Sequence, residues 1–260
     1  MKNQTHGKYN SLLFGIIRIK VLSWRSLCVL RGNMWRWLCA WAIFLKSYGI
    51  QKRNKNFTRS VSLWYPVLHE QSYYADIDPV YLYQNAWCAG KVFESSPKQH
   101  IDVASSLQFV SMIGQYLPVT FIDIHNPELS FYGVSYQKGD VCELPFADSS
   151  VVSLSSLCVI EHIGLGRYGD TLDAFGSESA AHELSRVIAP GGHLYISVPV
   201  DEGNRIYHNA HRAFTREYIV KELFRNLKLV SEQYIYGRKM ESSYVSSKGF
   251  GTGLFEFTKP

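Results

Sequence analysis

No aspartate or glutamate occurs in the first 60 residues of this 260-residue chain, although they hold 12 of its 27 Lys and Arg. The remainder carries the other 15 basic residues against all 22 acidic ones, so a net charge of +5 hides two physically different halves. Any Cys-x-x-Cys pair is also missing. Cys28, Cys39, Cys88, Cys142 and Cys158 are scattered and odd in number, which fits a reducing compartment and excludes a paired-cysteine zinc site. No apolar run reaches the roughly 20 residues that a spanning helix needs. The longest uncharged apolar run, residues 37–45, is nine residues. No repeat is visible at the periods of about 20 to 50 residues that mark solenoids. With 46% apolar and 19% charged residues, wholesale disorder is excluded as well.

What the first 60 residues do contain is tryptophan, at positions 24, 35, 37 and 41, set among Leu, Ile, Phe and cations. That composition suits an interfacial helix, with indoles at headgroup depth and cations facing anionic lipid. Two alternatives remain: an arm packed on the main domain along its Arg and Lys stems, and an organelle targeting segment. Nucleic acid is the weakest candidate partner, because the segment is as apolar as it is basic and carries no nucleic-acid motif. The expected location is cytoplasmic, with peripheral membrane contact through residues 1–60 as an open option.

Residues 51–56 read as a polar linker. After it, Asp78-Pro79 marks a helix start, and Val80, Tyr83, Trp87 and Val92 fall on one helical face over residues 80–93. This helix is expected to be a lid or packing helix. From His100 onward, strand and helix patterns alternate. Strands are expected at 101–103, 119–123, 132–137, 151–158, 193–198, 229–235 and 254–257, and helices at 107–117, 178–188 and 216–227. Pro190-Gly191-Gly192 is expected to end the helix before the fifth strand. Parallel strands joined by helices leave a crevice at their carboxyl ends, where a nucleotide binds.

Three motifs occur in order: Gly139-Asp140-x-x-x-Leu144-Pro145-Phe146-x-Asp148-x-Ser150, then Val159-Ile160-Glu161-His162-Ile163, then Glu183-Leu184-x-Arg186-Val187-Ile188-x-Pro190-Gly191-Gly192. On these residues, the stretch 98–260 resembles the class I S-adenosylmethionine-dependent methyltransferases. Residues 102–112 and 161–170 further resemble the uncharacterised methyltransferase-like family called domain of unknown function 268.

The resemblance implies an α/β fold: a Rossmann-like, mostly parallel sheet of seven strands with the last antiparallel and helices on both faces; the composition adds a basic N-terminal helical arm. With the charge asymmetry and the helix signal at Asp78-Pro79, the resemblance divides the chain into an arm (1–60), a helical lead-in or lid (61–97) and a methyltransferase-like domain (98–260). It also implies S-adenosylmethionine as cofactor and methyl transfer to a small-molecule polar acceptor, a glycan or other hydroxyl compound being the expectation. The oligomeric state is left open.

The implied cofactor residues are Asp102, Ala104, Ser105, Ser106, Asp123, Ile124, Asp140, Val141, Val159 and Glu161. Asp123 would take the ribose hydroxyls, a task for an acceptor-only group, and Asp140 the adenine side, with Cys142 or Val141 bordering the ring. An Asp closing a strand can equally be a turn former or helix cap. His162, His208 and His211 are the candidate bases and Arg167, Tyr168 and Arg212 the candidate substrate contacts. For His162 alone, packing is the alternative. His208-x-x-His211-Arg212 also reads as an anion pocket, and two ligands without a third exclude a metal site.

One departure stands out. The loop after the first strand, Asp102-Val103-Ala104-Ser105-Ser106, contains no glycine, and Ala104 makes a positive backbone angle costly. A non-catalytic binding or scaffold protein is therefore the rival reading. A dehydrogenase comes third, resting only on Gly164-Leu165-Gly166-Arg167-Tyr168-Gly169. No apolar helix opens behind that pattern, so it reads as a loop over the crevice.

Overall fold

The computed structural model describes residues 34–51, 60–64, 66, 68 and 77–260. Expectations that fall on residues 1–33 and on the 52–59 linker lie outside the described residues. The chain divides into two compact units, residues 1–76 and 77–260.

In the first unit, helix α1 (Met34–Ile50) is a 17-residue element. Trp37, Trp41 and Phe44 stack edge to face along it, and Trp64 closes edge to face on both Phe44 and Tyr48 at 5.2 Å. Such edge-to-face pairs contribute beyond the area they bury. Among the described residues, no helix is long and apolar enough to cross a membrane.

The second unit begins with α2 (Pro79–Ser95). The Asp78 side chain accepts the N–H groups of Val80 and Tyr81, Pro79 occupies the first turn, and Ser96 ends the helix in a left-handed conformation. The buried face is Gln84, Asn85, Cys88 and Val92, about one residue off the face expected from Val80, Tyr83 and Trp87. The strand ends beneath present Ser106, Cys158 and Ser197, so the two amides turn inward to reach hydrogen-bond partners.

The sheet strands are β1 (His100–Val103), β2 (Val119–Asp123), β3 (Val134–Lys138), β4 (Val151–Leu157), β5 (Ile188–Val200), β8 (Lys228–Tyr236), β9 (Lys239–Glu241) and β10 (Gly251–Thr258). Their order is β3-β2-β1-β4-β5-β10-β8-β9. The β1, β2, β3, β4 and β5 pairings are parallel, and β10 runs antiparallel to both β5 and β8. This is the expected mostly parallel sheet with its last strand reversed. The eighth strand is the short edge β9, too brief to show a sequence period. A separate hairpin joins β6 (Arg205–Tyr207) and β7 (His211–Ala213).

Helices cover both faces. On one, α2 and α3 (Leu107–Ile113) pack Cys88, Val92, Phe109, Val110 and Ile113 onto Val119, Phe121 and Tyr195. On the other, α4 (Gly176–Val187) and residues 219–227 pack onto Ile122, Leu194, Ile196 and Val198. Adjacent strand residues thus serve opposite layers, as a period of two requires.

Three local expectations change. Gly114 caps α3 four residues earlier than expected. The segment 216–227 is only a turn of helix, α5 (Arg216–Tyr218), followed by a π-helical turn over Ile219–Leu223. Pro190-Gly191-Gly192 does not separate helix from strand: α4 stops at Val187, β5 starts at Ile188, and the three residues form a bulge. There the register jumps from Val151 opposite Ile188 to Ser153 opposite His193, and Gly191 takes φ +73°.

Candidate functional site

The sheet order reverses between β1 and β4, whose carboxyl ends flank the crevice where this architecture places ligands. A buried polar cluster lies there. Asp102 is fully buried, its Oδ1 accepting the Ser105 N–H at 3.1 Å and its Oδ2 the Ser155 hydroxyl. Ser155 also meets His100 Nε2, and Ser153 meets His100 Nδ1, both at 2.8 Å. Burial pushes Asp102 up to about 7 and His100 down to about 3. Asp102 therefore organises the strand end from within, with both carboxyl oxygens engaged by the protein itself.

Ala104 adopts φ +55°, so the turn after β1 keeps a conformation that suits glycine without having one. Ser105 is buried and its hydroxyl accepts the Leu157 N–H at 2.9 Å, tying the turn across the crevice to β4. Ser106 caps α3 through the Phe109 N–H and accepts the Asn85 amide at 3.3 Å. Both serine side chains serve the fold first.

Asp123 stands at the end of β2 with its side chain 23% exposed. Oδ1 accepts the His125 N–H at 2.8 Å, and among the described residues Oδ2 carries no hydrogen bond. Ile124, next to it, is half-buried. Asp140 forms a tight turn by accepting the Cys142 N–H at 2.9 Å. Val141 is buried in the core, leaving half-buried Cys142 as the side chain that can border a ring. Cys158 turns the chain out of β4 at φ +55°, and buried Val159 follows.

The next residues gather the polar groups. Glu161 is 1% exposed, its Oε1 lies 3.7 Å from His162 Nε2, and its Oε2 has no hydrogen-bond partner among the described residues. Burial pushes its carboxyl up to about 8 and the His162 ring down to about 4. His162 Nδ1 lies 2.7 Å from the Ala210 carbonyl, which only accepts, so Nδ1 carries the proton and Nε2 is a bare acceptor. The His162 ring meets Tyr168 at 5.4 Å and His211 at 6.3 Å, and His211 meets Tyr207 and Phe250. His208 is exposed on the hairpin turn, and among the described residues no hydrogen bond or ring contact joins it to His162 or His211. Nor does any group of three or more His, Cys, Asp or Glu among them suit a metal ion.

The glycine-rich loop explains itself. Gly164, Gly166 and Gly169 all take positive φ, and the Asp170 carboxylate accepts the N–H groups of Gly164, Gly166 and Tyr168. The nest that a phosphate would fill holds the chain's own anion. Burial alone would raise the Asp170 carboxyl, but these backbone donors hold it below its ordinary value. Arg167 donates to the Ala210 carbonyl at 2.8 Å and lies over the Tyr168 ring. Arg212 is buried, and its guanidinium donates to the carbonyls of Ile163, Asp173 and Ala174 and to Ser177, so it clamps the loop.

Sequence reasoning missed Gln84 and Asn85. The Gln84 carbonyl accepts the Ser197 hydroxyl at 2.7 Å and the Cys158 thiol at 3.1 Å, while its Nε2 and the Asn85 Oδ1 have no partners among the described residues. Two adjacent amides inside an otherwise apolar helix were the available signal. The motif residues Glu183 and Arg186 instead form a staple: Glu183 accepts the Leu144 N–H, and Arg186 binds Glu183 and Asp148.

A family model described as Caenorhabditis protein of unknown function, DUF268, matches residues 147–233. A search of the curated proteins found no match. Among solved structures, the [4+2]-cyclase SpnF aligns with a TM-score of 0.51 at 12% identity, covering 68% of this chain and 79% of that one. A putative sarcosine dimethylglycine methyltransferase from Galdieria sulphuraria gives 0.51 at 12%, covering 68% and 85%. The N-methyltransferase NodS from Bradyrhizobium japonicum, in complex with S-adenosyl-L-homocysteine, gives 0.50 at 14%, covering 83% and 97%. At such identities the likeness speaks to fold, and a cyclase among the matches shows that this fold alone does not fix a reaction. By sheet order and by these likenesses, the chain has the class I methyltransferase-like fold.

Proposed function

We propose that the protein is an S-adenosylmethionine-dependent methyltransferase acting on a small polar acceptor. The observation that carries this reading is a pair of buried polar atoms unpartnered among the described residues, Gln84 Nε2 and Asn85 Oδ1, on residues whose amides bond to Cys158 after β4 and to Ser106 after β1. Buried polar atoms without partners are costly, and a ligand carrying both donors and acceptors relieves them. These residues fit the cofactor. Asp123 has a free oxygen for ribose hydroxyls, Asp140 and Cys142 border the adenine side, and the Gln84 and Asn85 amides suit the amino-acid end.

When bound, S-adenosylmethionine supplies a methyl group on a sulfonium. The transfer is an in-line displacement, so the chain's main contribution is alignment. His162, held by Ala210, presents Nε2 toward an acceptor proton, and His211, Tyr168 and Arg167 lie on the same side. For a hydroxyl acceptor such as a glycan, His162 would act as base, a weak one given its lowered proton affinity.

Calorimetric titration with S-adenosylmethionine and S-adenosylhomocysteine tests this reading. Micromolar binding is expected, and Asp123→Ala is expected to weaken it by about 1 to 3 kcal/mol. No heat at millimolar ligand overturns it and favours the second reading, a non-catalytic scaffold. That reading is supported by the commitment of the Ser105 hydroxyl to Leu157 inside the crevice.

For the basic arm we propose peripheral membrane contact. Helix α1 has no acidic residue in its sequence and exposes Trp37, Leu38, Ile43 and Leu45. Pelleting of the full chain with anionic vesicles but not neutral ones is the expected result, and equal pelleting removes the idea.

A further inference from the structure

We propose that Glu161 and His162 together form a recognition site for an amine, so that the methyl acceptor is a primary or secondary amine. This rests on the methyltransferase reading and narrows its substrate. The Glu161 carboxyl is buried with Oε2 unpartnered among the described residues, and the bare Nε2 of His162 lies 3.7 Å from Oε1, too far for a hydrogen bond between them. Once Glu161 is ionised, as it is above about pH 8, these are two acceptors close together, and one group that donates to both satisfies them. A protonated primary or secondary amine carries three or two N–H donors; an alcohol has one O–H and leaves one acceptor unsatisfied.

Charge points the same way. A buried carboxylate without a counter-ion is costly, and a cation beside it removes the cost. The nearest fixed cation, Arg167, turns its Nη1 to the Ala210 carbonyl and lies over Tyr168 at 5.1 Å, so no guanidinium hydrogen bond reaches Glu161. Other titratable groups around Glu161 are Cys158 from β4 and Tyr81 from α2, whose hydroxyl is raised by burial and by Cys158, Tyr168 and Glu161. Around His162 they are Arg167, His211 and Asp170. Tyr81 and Tyr168 are about half exposed, and with the His162 and His211 rings they give a cation aromatic faces as well as a carboxylate.

The step balances. The incoming ammonium releases one proton to solvent, and its nitrogen lone pair takes the methyl carbon from the sulfonium donor. A C–N bond forms while the C–S bond breaks, and the bonding pair leaves with sulfur as a thioether. The positive charge passes from sulfur to nitrogen, opposite ionised Glu161, and the product leaves as a methylammonium ion.

The test uses two matched probes, benzylamine and benzyl alcohol, titrated into the full chain at pH 8 with and without S-adenosylhomocysteine. The amine is expected to bind at least about tenfold more tightly. Glu161→Gln, which keeps the shape, should remove that advantage and leave S-adenosylhomocysteine affinity within twofold. Equal affinity of the probes, no binding of either, or an amine preference that survives Glu161→Gln overturns the proposal. Loss of S-adenosylhomocysteine affinity in Glu161→Gln also overturns it, because the carboxyl then belongs to the cofactor's own ammonium.

Failure of the wild type to bind S-adenosylhomocysteine defeats the methyltransferase reading alone, since the nucleoside-free titration still reads the amine site. If Glu161→Gln does not fold, carbon NMR of labelled glutamate carboxyls in the wild type decides. Benzylamine should move the Glu161 midpoint from about 8 to below pH 7, and an unmoved midpoint overturns the proposal.

Discussion

The Ser105 hydroxyl accepts the Leu157 N–H at 2.9 Å, joining the turn after β1 to the end of β4 across the point where the sheet order reverses. Both residues are buried, so the bond has no water to replace it. Ser105→Ala strands the Leu157 N–H and is expected to cost about 1 to 3 kcal/mol. Ser105→Thr keeps the hydroxyl and should cost less. Urea denaturation reads both, and an alanine variant as stable as the wild type would mean that the bond contributes nothing.

One residue earlier, Ala104 sits at φ +55°. An L-residue held in this region costs roughly 1 to 2 kcal/mol. Glycine removes that cost but adds unfolded-chain entropy of roughly 0.4 to 1 kcal/mol. Ala104→Gly is therefore expected to stabilise the fold by about 0.5 to 1 kcal/mol, read as a higher urea midpoint with unchanged slope. A destabilised glycine variant would show that the turn is unstrained.

These neighbours show what the sequence could and could not disclose. The alternation of apolar strands and helices, with Asp78-Pro79 opening α2, was legible because burial and capping impose periods and residue types that local chemistry fixes. The positive φ at Ala104 was legible as a cost, not as a conformation. The deep face of α2 was not legible: its Gln84 and Asn85 look solvent-facing until Ser197, Cys158 and Ser106 arrive from distant strands to meet them. Asp102 and Arg212 look like ligand-binding charges in the sequence, yet partners about 50 and 40 residues away consume them. Only tertiary contact separates a buried structural charge from a functional one.

Arg212 offers a direct check of that distinction. Its guanidinium satisfies the Ile163, Asp173 and Ala174 carbonyls, which bracket the glycine-rich loop. Arg212→Met keeps most of the stem but leaves these acceptors unpaired, and is expected to cost at least about 2 kcal/mol. Because the clamp brackets the loop, amide exchange at Gly164 and Gly166 should accelerate more than exchange in β4 or β5. Uniform acceleration would show that the clamp serves the whole domain and not the loop.

The pH dependence of stability follows from four buried groups. Asp102 and Glu161 are raised to about 7 and about 8, so the folded state holds protons that the unfolded state has already released above about pH 4 to 4.5. Their contribution is full below that range and is lost as pH rises through 7 to 8. His100 and His162 are lowered to about 3 and about 4, so the unfolded state binds more protons below about 6.5, and their contribution is lost on acidification. The two effects oppose each other between about pH 4.5 and 6.5. Above 6.5 only the acids act. Stability should therefore decline from pH 6.5 to 8, by roughly 1 kcal/mol per pH unit for each proton the folded state alone retains. Glu161→Gln removes one such proton and should flatten that decline while leaving the acid limb in place. A wild-type profile level between pH 6.5 and 8, or a Glu161→Gln profile equally steep, would mean that Glu161 is ionised in the folded protein at neutral pH.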